Sequence, residues 1–258
     1  YVALGDSSTE GLNDTDERGL LRGWSERLAS HLAAATGPLQ YANLAVRGRT
    51  TREVLEEQLA PALALDPDLA TLFVGTNDVT ARRFDETQFA VDLEAMQSAL
   101  QAAGAAVLGF TLPDLSPVMP VARLIRGRVR RMNERIRAVS ARTGSLLVDF
   151  EAVPTTSDPR LWSEDRIHAN SEGHARIAAA LAESLGINSH AGWDRALEPA
   201  LRSSLLRAVG AELWWIARHF TPWLGRGLSG RGAGDGRGPK YPRLVTWSTG
   251  GMVEASPR

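Results

Sequence analysis

The sequence contains no cysteine. Disulfide bonds, thiolate metal sites and a cysteine nucleophile are therefore excluded together. The sequence also lacks any uninterrupted apolar run near the ~18 residues of a membrane-spanning helix, so we expect no integral membrane segment. It has no excess of one charge, because 29 Lys and Arg residues face 30 Asp and Glu residues. A net charge of −1 offers no field that would recruit nucleic acid, and we expect no nucleic-acid partner.

The start of the chain carries no basic and apolar leader of the signal-peptide type. This favours a cytoplasmic protein slightly over a secreted one. Export stays open, because the chain begins at Tyr1 rather than at a methionine, as a truncated or processed chain would. The composition is that of an ordinary globular protein, with 43% hydrophobic and 23% charged residues, and it leaves the oligomeric state open.

Short apolar runs alternate along the chain with longer segments of helical period. The runs cover residues 1–4, 40–45, 69–74, 105–111 and 145–150, and the helical segments cover 24–35, 51–60, 83–103, 121–143 and 171–185. Strands that are apolar on both faces and joined by helices are typical of a parallel sheet covered on each side. The pattern predicts an α/β fold, a three-layer α/β/α sandwich around a five-stranded parallel sheet.

The character of the chain changes after about residue 188. From Trp193 to Leu224 apolar residues recur at steps of three or four, which predicts an amphipathic, Trp-rich helix limited by Pro199 and Pro222. Residues 225–258 are rich in glycine and arginine and cannot form a core of their own. We therefore predict a domain over residues 1–188 and an extension over 189–258 that packs on the domain or trails from it.

Polar motifs follow four of the predicted strands, at the points where these strands end. They are GDSS with Ser7, NLAVRGRT with Gly48, GTND with Asn77, and SEDRIHAN with Asp165 and His168. Because ligand sites in parallel sheets lie at the carboxyl ends of the strands, we expect these motifs to converge. A serine, a histidine, a carboxylate and hydrogen-bond donors in one place are the groups that acyl transfer needs.

Each of these groups has a distinct expected role. Ser7 is the candidate nucleophile, His168 the base that takes its proton, and Asp165 the carboxylate that orients the imidazole. Asp165 precedes His168 by three residues, so one irregular turn can bring the carboxylate to Nδ1 while Nε2 faces Ser7. The candidate oxyanion donors are the backbone N–H groups of Ser7 and Gly48 and the side-chain amide of Asn77.

Taken singly, each residue also suits an ordinary structural role. Ser7 fits a helix N-cap, His168 a capping or surface position, Gly48 a turn and Asn77 an Asx turn. Four such residues at four strand ends, in an order compatible with one site, favour a common active site. The neighbouring Asp6 is expected to be a structural acceptor for loop N–H groups rather than a catalytic group.

With these motifs in this order, the chain resembles the SGNH hydrolases, also called GDSL esterases and lipases. GDSSTEG, NLAVRG, GTND and DRIH are similar to four sequence blocks of that family, over roughly residues 1–188. The resemblance implies a flavodoxin-like sandwich, no metal or cofactor, and hydrolysis of esters or thioesters through an acyl-enzyme. The terminal extension is similar in style to extensions on lysophospholipase-like relatives from actinobacteria.

Two other functions compete with the hydrolase. The hydroxyl-rich turn after the first strand also suits a phosphate or flavin phosphate at a helix start, as in a flavodoxin-like binding module. That alternative leaves Gly48, Asn77, Asp165 and His168 without a role. A binding protein that kept the fold and lost its activity is the second alternative, and retention of all four catalytic residue types argues against it.

The loop after the fourth strand, TLPDLSPVMP, is the candidate substrate-binding element. It is stiffened by prolines and carries Leu115, Val118 and Met119, which we expect either to line the acyl or alcohol pocket or to pack under the terminal helix. The partner is then a small-molecule ester. We expect short-chain acyl esters first, and lysophospholipids or thioesters with longer acyl chains as the alternative.

Overall fold

The structure is a computed structural model that describes residues 1–187, 192–199, 210, 214–221 and 234–253. The predicted terminal helix therefore lies largely outside the described residues. Of that part, residues 214–221 are described, and they are helical, with a π-helical turn at Ile216–Phe220. The predicted division of the chain at residue 188 stays a prediction.

Five parallel strands form the centre of the molecule, as the sequence predicts. They are β1 (Val2–Gly5), β2 (Leu39–Asn43), β3 (Leu69–Phe73), β4 (Ala106–Phe110) and β5 (Leu146–Val148), in the order β5-β4-β3-β1-β2. The switch in strand order occurs at β1, which has β2 on one side and β3 on the other. This is the place where open α/β sheets bind their ligands.

Helices flank the sheet and complete the three layers. They are α1 (Ser7–Glu10), α2 (Gly23–Thr36), α3 (Thr51–Ala64), α4 (Thr76–Thr80), α5 (Glu86–Ala102), α6 (Arg126–Thr143) and α7 (Ser171–Ser184). α2 packs against α7, while α3, α5 and α6 pack together as a second group. Side-chain caps define several of the helix starts, including a capping box of Thr50 and Glu53 before α3. The α/β sandwich class is therefore confirmed.

The predicted strand count was too low by two. β6 (Tyr241–Ser248) pairs antiparallel with the outer edge of β2, and β7 (Gly251–Met252) pairs with β6. Trp247 is buried in the core, where it packs against Tyr41 and donates its indole N–H to Ser30 Oγ at 3.0 Å. The sequence did not predict β6, because the glycine-rich residues before it dominate the local composition and most of its first residues are exposed.

An aromatic cluster packs at the carboxyl edge of the sheet. Phe73 and Phe110 stack with ring centroids 4.0 Å apart, and Phe150 and Trp24 meet the ring of Phe110 edge-on. Phe73 and Phe110 are the last residues of β3 and β4, so the cluster lies next to the loops that carry the predicted site. Within the described part of the chain, no helix combines the length and apolar character needed to cross a membrane.

Candidate active site

The turn between β1 and α1 presents Ser7. Gly5, the last residue of β1, has φ 151°, and a Cβ there would lie 2.4 Å from the carbonyl oxygen of Phe73 and from Thr9 Oγ1. Only glycine therefore allows this close approach. The buried amide of Gln58 bonds both the N–H and the carbonyl of Gly5 at 2.9 Å, and Asp6 caps α1 by accepting from Ser8 N–H at 3.1 Å. Ser7 thus becomes the first helical residue, whose N–H has no partner within the helix.

Ser7, His168 and Asp165 form a continuous chain of hydrogen bonds. Ser7 Oγ lies 2.7 Å from His168 Nε2, and His168 Nδ1 lies 2.7 Å from Asp165 Oδ2. Ser7 is only 8% exposed, but it lines the main cavity of the described structure together with His168 and Asp165. Three residues predicted from distant parts of the sequence are thereby brought together. Their arrangement matches what a serine nucleophile, its base and an orienting carboxylate require.

Asp165 accepts hydrogen bonds from five donors among the described residues. Oδ1 accepts from Ser163 Oγ at 2.7 Å and from the N–H groups of Ile167 and His168 at 3.0 Å. Oδ2 accepts from His168 Nδ1 and from Asn13 Nδ2, each at 2.7 Å. Burial alone would raise the pKa of Asp165, but the hydrogen bonds and the nearby imidazole hold its pKa well below its usual range. The carboxylate is therefore ionised whenever the imidazole needs orienting.

Asn13 is a site residue that the sequence analysis missed. It follows the GDSS motif by a few residues, and it has φ 66°, a left-handed conformation that asparagine tolerates better than most residues. Its Nδ2 joins the loop after α1 to the loop that carries Asp165, through hydrogen bonds to Ser163 Oγ at 2.9 Å and to Asp165 Oδ2. The only signal in the sequence was an asparagine in a turn, which does not reveal a partner about 150 residues away.

The other two candidate oxyanion donors lie on α4 and in the turn after β2; among the described residues, the cavity lining includes Asn77 but not Gly48. Asn77, on α4, lines the cavity, and its Nδ2 donates to Asp6 Oδ2 at 3.1 Å and to the carbonyl of Arg49 at 3.0 Å. Gly48 has φ 82° and lies between Arg49 and Arg47 in the turn after β2. Arg47 ties this turn to α1 through its N–H, which donates to Glu10 Oε2 at 2.9 Å. Both hydrogens of the Asn77 amide are thus already in hydrogen bonds.

Asp6 is a fully buried carboxyl that directly precedes Ser7 in the sequence. Its oxygens accept from Ser8 N–H and from Asn77 Nδ2, which agrees with the structural role expected from the sequence. Burial raises the pKa of Asp6 to about 7, although the hydrogen bond from Ser8 opposes the shift. Asp78, one residue after Asn77, accepts from Thr51 N–H and Thr51 Oγ1 at 3.0 Å and so joins α4 to the start of α3.

His174 is buried close to the site and has a structural role. Its Nδ1 accepts from Trp24 N–H at 3.1 Å, and its Nε2 lies 3.2 Å from the carbonyl of Leu12. Burial lowers the pKa of His174 to about 4, so the ring is neutral and joins α7 to the first loop and α2. The described residues contain no group of three His, Asp or Glu side chains placed to hold a metal ion.

A cavity of about 570 Å³ opens at Ser7. Its floor includes Phe73, Phe110 and Phe150, and its walls include apolar side chains from the loop after β4 and the start of α6. Of the three predicted substrate-binding residues, Leu115 and Met119 line the cavity. Val118 does not line it; it is 5% exposed and packs into the interior, because the 3₁₀ turn that follows at Pro120–Leu124 curls the loop back on itself.

The sequence matches the profile of the GDSL-like lipase/acylhydrolase family over residues 3–176, which is more than half of the chain. No curated protein matches it. The solved structures that resemble it include the psychrotrophic esterase EstA from Pseudoalteromonas sp., which is 20% identical with a TM-score of 0.57, over 72% of this chain and 95% of that chain. LAE5, an α/β hydrolase enzyme from the metagenome of Lake Arreo, is 24% identical with a TM-score of 0.62, over 73% and 95% of the two chains.

A catalytic mutant of Axe2, an acetylxylan esterase from Geobacillus stearothermophilus, is 19% identical with a TM-score of 0.61, over 76% of this chain and 96% of that one. At these identities the likeness to solved structures supports the fold. In each case nearly the whole relative is matched, while about a quarter of this chain has no counterpart in it.

Proposed function

Because the chain belongs to the GDSL-like lipase/acylhydrolase family and is a carboxylic ester hydrolase, we propose that it cleaves its ester through an acyl-enzyme on Ser7. The observation that carries this proposal is the unbroken chain from Ser7 Oγ through His168 to Asp165, with both distances at 2.7 Å. A phosphate-binding or flavin-binding module would have no use for this series of hydrogen bonds. That alternative is set aside in favour of hydrolysis.

In the acylation step, His168 Nε2 takes the proton of Ser7 Oγ as the oxygen attacks the ester carbonyl carbon. The bond to the leaving alcohol oxygen then breaks, and His168 returns the proton to that oxygen. Asp165 stays ionised throughout, since five donors stabilise its charge, and it supports the imidazolium that forms between the two transfers. Water attacks the acyl-enzyme by the same route and releases the carboxylic acid.

The oxyanion is assigned three donors. They are the N–H of Ser7 at the start of α1, the N–H of Gly48 and the side-chain amide of Asn77. The amide hydrogens of Asn77 bond to Asp6 Oδ2 and to the carbonyl of Arg49. When the oxyanion forms, one of these two hydrogens is shared with it or turns toward it. The negative charge of the intermediate makes it a stronger acceptor than a neutral carbonyl.

The cavity favours longer acyl chains than the sequence alone suggests. It holds about 570 Å³ and is walled by aromatic and aliphatic side chains, including Leu115 and Met119. Each further methylene of the acyl chain that is buried in the cavity contributes about 0.8 kcal/mol to binding, which is roughly fourfold in kcat/KM. We therefore place esters of medium to long acyl chains, lysophospholipids and acyl thioesters among them, ahead of short-chain esters.

The test is a hydrolysis series on p-nitrophenyl esters from acetyl to palmitoyl, run on the wild type and on Ser7→Ala. We expect activity that rises with chain length in the wild type and is lost in the variant. Indistinguishable rates for the two proteins would contradict the assignment of Ser7. A maximum at the acetyl ester would leave Ser7 in place and return the preference to short chains.

Met119→Ala tests the pocket separately from the chemistry. Removing this side chain should shift the chain-length preference, because Met119 lines the cavity without contacting the hydrogen-bond chain. Val118→Ala is the matched control, since Val118 lies on the same loop and faces the interior. A preference profile that is the same in all three proteins would rule out this loop as the acyl-chain wall.

A further inference from the structure

Residues 214–221 lie well beyond residue 176, where the family match ends. Yet this segment meets the catalytic cavity, because Trp215, Arg218 and His219 line it together with Ser7 and His168. We call residues 214–221 the roof segment. The three structural relatives described above match 72–76% of this chain with 95–96% of their own length. Because the family match ends at residue 176, the roof segment is a part of the cavity wall that lies outside that match.

Within the roof segment, Trp215 contacts the loop that holds the catalytic acid. Its side chain is almost fully buried, at 3% exposure, and its indole N–H donates to the backbone carbonyl of Asp165 at 3.2 Å. The guanidinium of Arg166 lies over the same indole ring, 4.9 Å from its centroid. One side chain thus touches two consecutive residues of the loop, by a hydrogen bond and by a cation–π contact.

The backbone of that loop needs such support. Arg166 has φ 61°, a left-handed conformation that is unfavourable for a residue with a side chain. A strained conformation persists only where the surrounding structure fixes it. Arg166 stands between Asp165 and His168, so relaxation of its backbone would change the 2.7 Å contact between the carboxylate and the imidazole.

We propose that Trp215 is a positioning residue for ester hydrolysis, through which the roof segment holds the Asp165–His168 loop in its reactive geometry. The inference rests on the proposed role of Ser7, His168 and Asp165. It assigns this part of the extension a direct role in turnover: the site is complete only when residues 214–221 lie against it. His219 adds to the same wall a buried ring nitrogen, Nε2, that has no hydrogen-bond partner among the described residues.

The experiment compares Trp215→Phe and Trp215→Ala with the wild type on a soluble p-nitrophenyl ester. Phenylalanine keeps an aromatic ring under Arg166 but loses the indole N–H, whereas alanine loses both contacts. We expect kcat to fall about 3–10-fold in Trp215→Phe, as for loss of one hydrogen bond, and about 10–100-fold in Trp215→Ala, with little change in KM. The larger loss in alanine and the partial rescue by phenylalanine mark positioning rather than binding.

Trp247→Phe is the matched control. Trp247, on β6, is also buried, at 5% exposure, and its indole N–H also donates a hydrogen bond, but to Ser30 on α2, and it does not line the cavity at Ser7. It should lose thermal stability without losing kcat. If both phenylalanine variants lowered kcat in proportion to their loss of stability, Trp215 would be a merely structural residue and the proposal would be wrong.

A second readout does not depend on turnover. The proton shared by His168 Nδ1 and Asp165 gives a far-downfield NMR resonance when that hydrogen bond is short. We expect this resonance to shift upfield or broaden in Trp215→Ala and to stay in place in Trp247→Phe. An unshifted resonance together with unchanged kcat would overturn the inference. Ser7→Ala separates the two levels, because activity remaining there contradicts the triad itself, whereas an inactive Ser7→Ala beside a fully active Trp215→Ala contradicts only the role of Trp215.

Discussion

Two carboxyl groups lie close to Ser7, Asp165 on the loop before α7 and Asp6 on the turn before α1, and their surroundings give them opposite pKa shifts. Asp165 is partly exposed and accepts from five donors, which hold its pKa well below the usual range. Asp6 is fully buried and accepts from Ser8 N–H and Asn77 Nδ2, and burial raises its pKa to about 7. The number of donors, set against desolvation, decides which carboxyl keeps its charge.

The difference also separates two functions. In the proposed mechanism Asp165 acts through the imidazole of His168, and its charge stabilises the imidazolium of the transition state. Asp6 has no hydrogen bond to His168 among the described residues; it is a hydrogen-bond acceptor for Ser8 N–H and for the amide of Asn77. Nearness to the nucleophile is therefore a poor guide to a catalytic role, and the direction of the contact is a better one.

Neutralising each carboxyl in turn should have the largest effect and should separate the two roles. Asp165→Asn should lower kcat about 10³–10⁴-fold, because an amide facing His168 Nδ1 favours the wrong imidazole tautomer. Asp6→Asn should lower kcat less than about tenfold, since one amide oxygen can still accept from Ser8 N–H. Steady-state kinetics on one ester measures both losses. Similar losses in the two variants would contradict the separation of roles.

Asn77→Ala tests the oxyanion side of the comparison. Removal of an amide donor aimed at the intermediate should lower kcat by roughly 10²–10³, with a smaller change in KM. The matched change is Asp6→Asn, which alters the partner of Asn77 but keeps the amide. A change confined to KM in Asn77→Ala would make Asn77 a substrate-binding residue instead.

Asn13→Gly reduces the donors of Asp165 from five to four. Glycine keeps the left-handed backbone at this position, where φ is 66°, and removes only the side-chain amide. We expect kcat to fall about tenfold or less, the effect of one hydrogen bond to a charged group that keeps its other partners. An effect as large as that of Asp165→Asn would mean that Asn13 contacts the substrate or the intermediate directly.

The smallest expected effect is on stability as a function of pH. The pKa of Asp6 is near 7 in the folded protein and 3.8 as its ordinary value, so its stabilising contribution is full below about pH 4 and is lost as pH rises through 7. The wild type should therefore lose more thermal stability between pH 5 and pH 8 than Asp6→Asn does. Burial also raises the pKa of Glu26 to about 7, but that slope is common to both proteins and cancels in the difference. Parallel curves of Tm against pH would show that Asp6 is charged over this whole range.

The sequence was sufficient to predict the parallel sheet and the convergence of Ser7, Asp165 and His168. Apolar runs, helical period and the polar residues at strand ends are local signals, and the rules of parallel sheets carry them to one edge. The contacts of Asn13 and Trp215 with Asp165 could not be predicted, because they join residues that are more than 45 positions apart in the sequence. β6 was not predicted for a similar reason, since its pairing with β2 joins segments about 200 residues apart in the sequence.

In the loop after β4, too, the sequence did not predict which side chains face the cavity. Leu115, Val118 and Met119 are all apolar and close in sequence, and the prolines around them indicate a stiff loop without indicating which side faces the cavity. The structure turns Leu115 and Met119 toward the cavity and Val118 away from it. Tertiary packing makes that choice, and no periodic pattern in the loop reports it.

The most direct test of the central claim is to label the protein with a fluorophosphonate and map the modified peptide by mass spectrometry. The reagent reacts much faster with a serine whose proton a neighbouring base removes than with an ordinary serine. We predict one adduct, on Ser7, that is absent in Ser7→Ala and forms far more slowly in His168→Ala. An adduct on another residue, or equal labelling of the wild type and Ser7→Ala, would contradict the account.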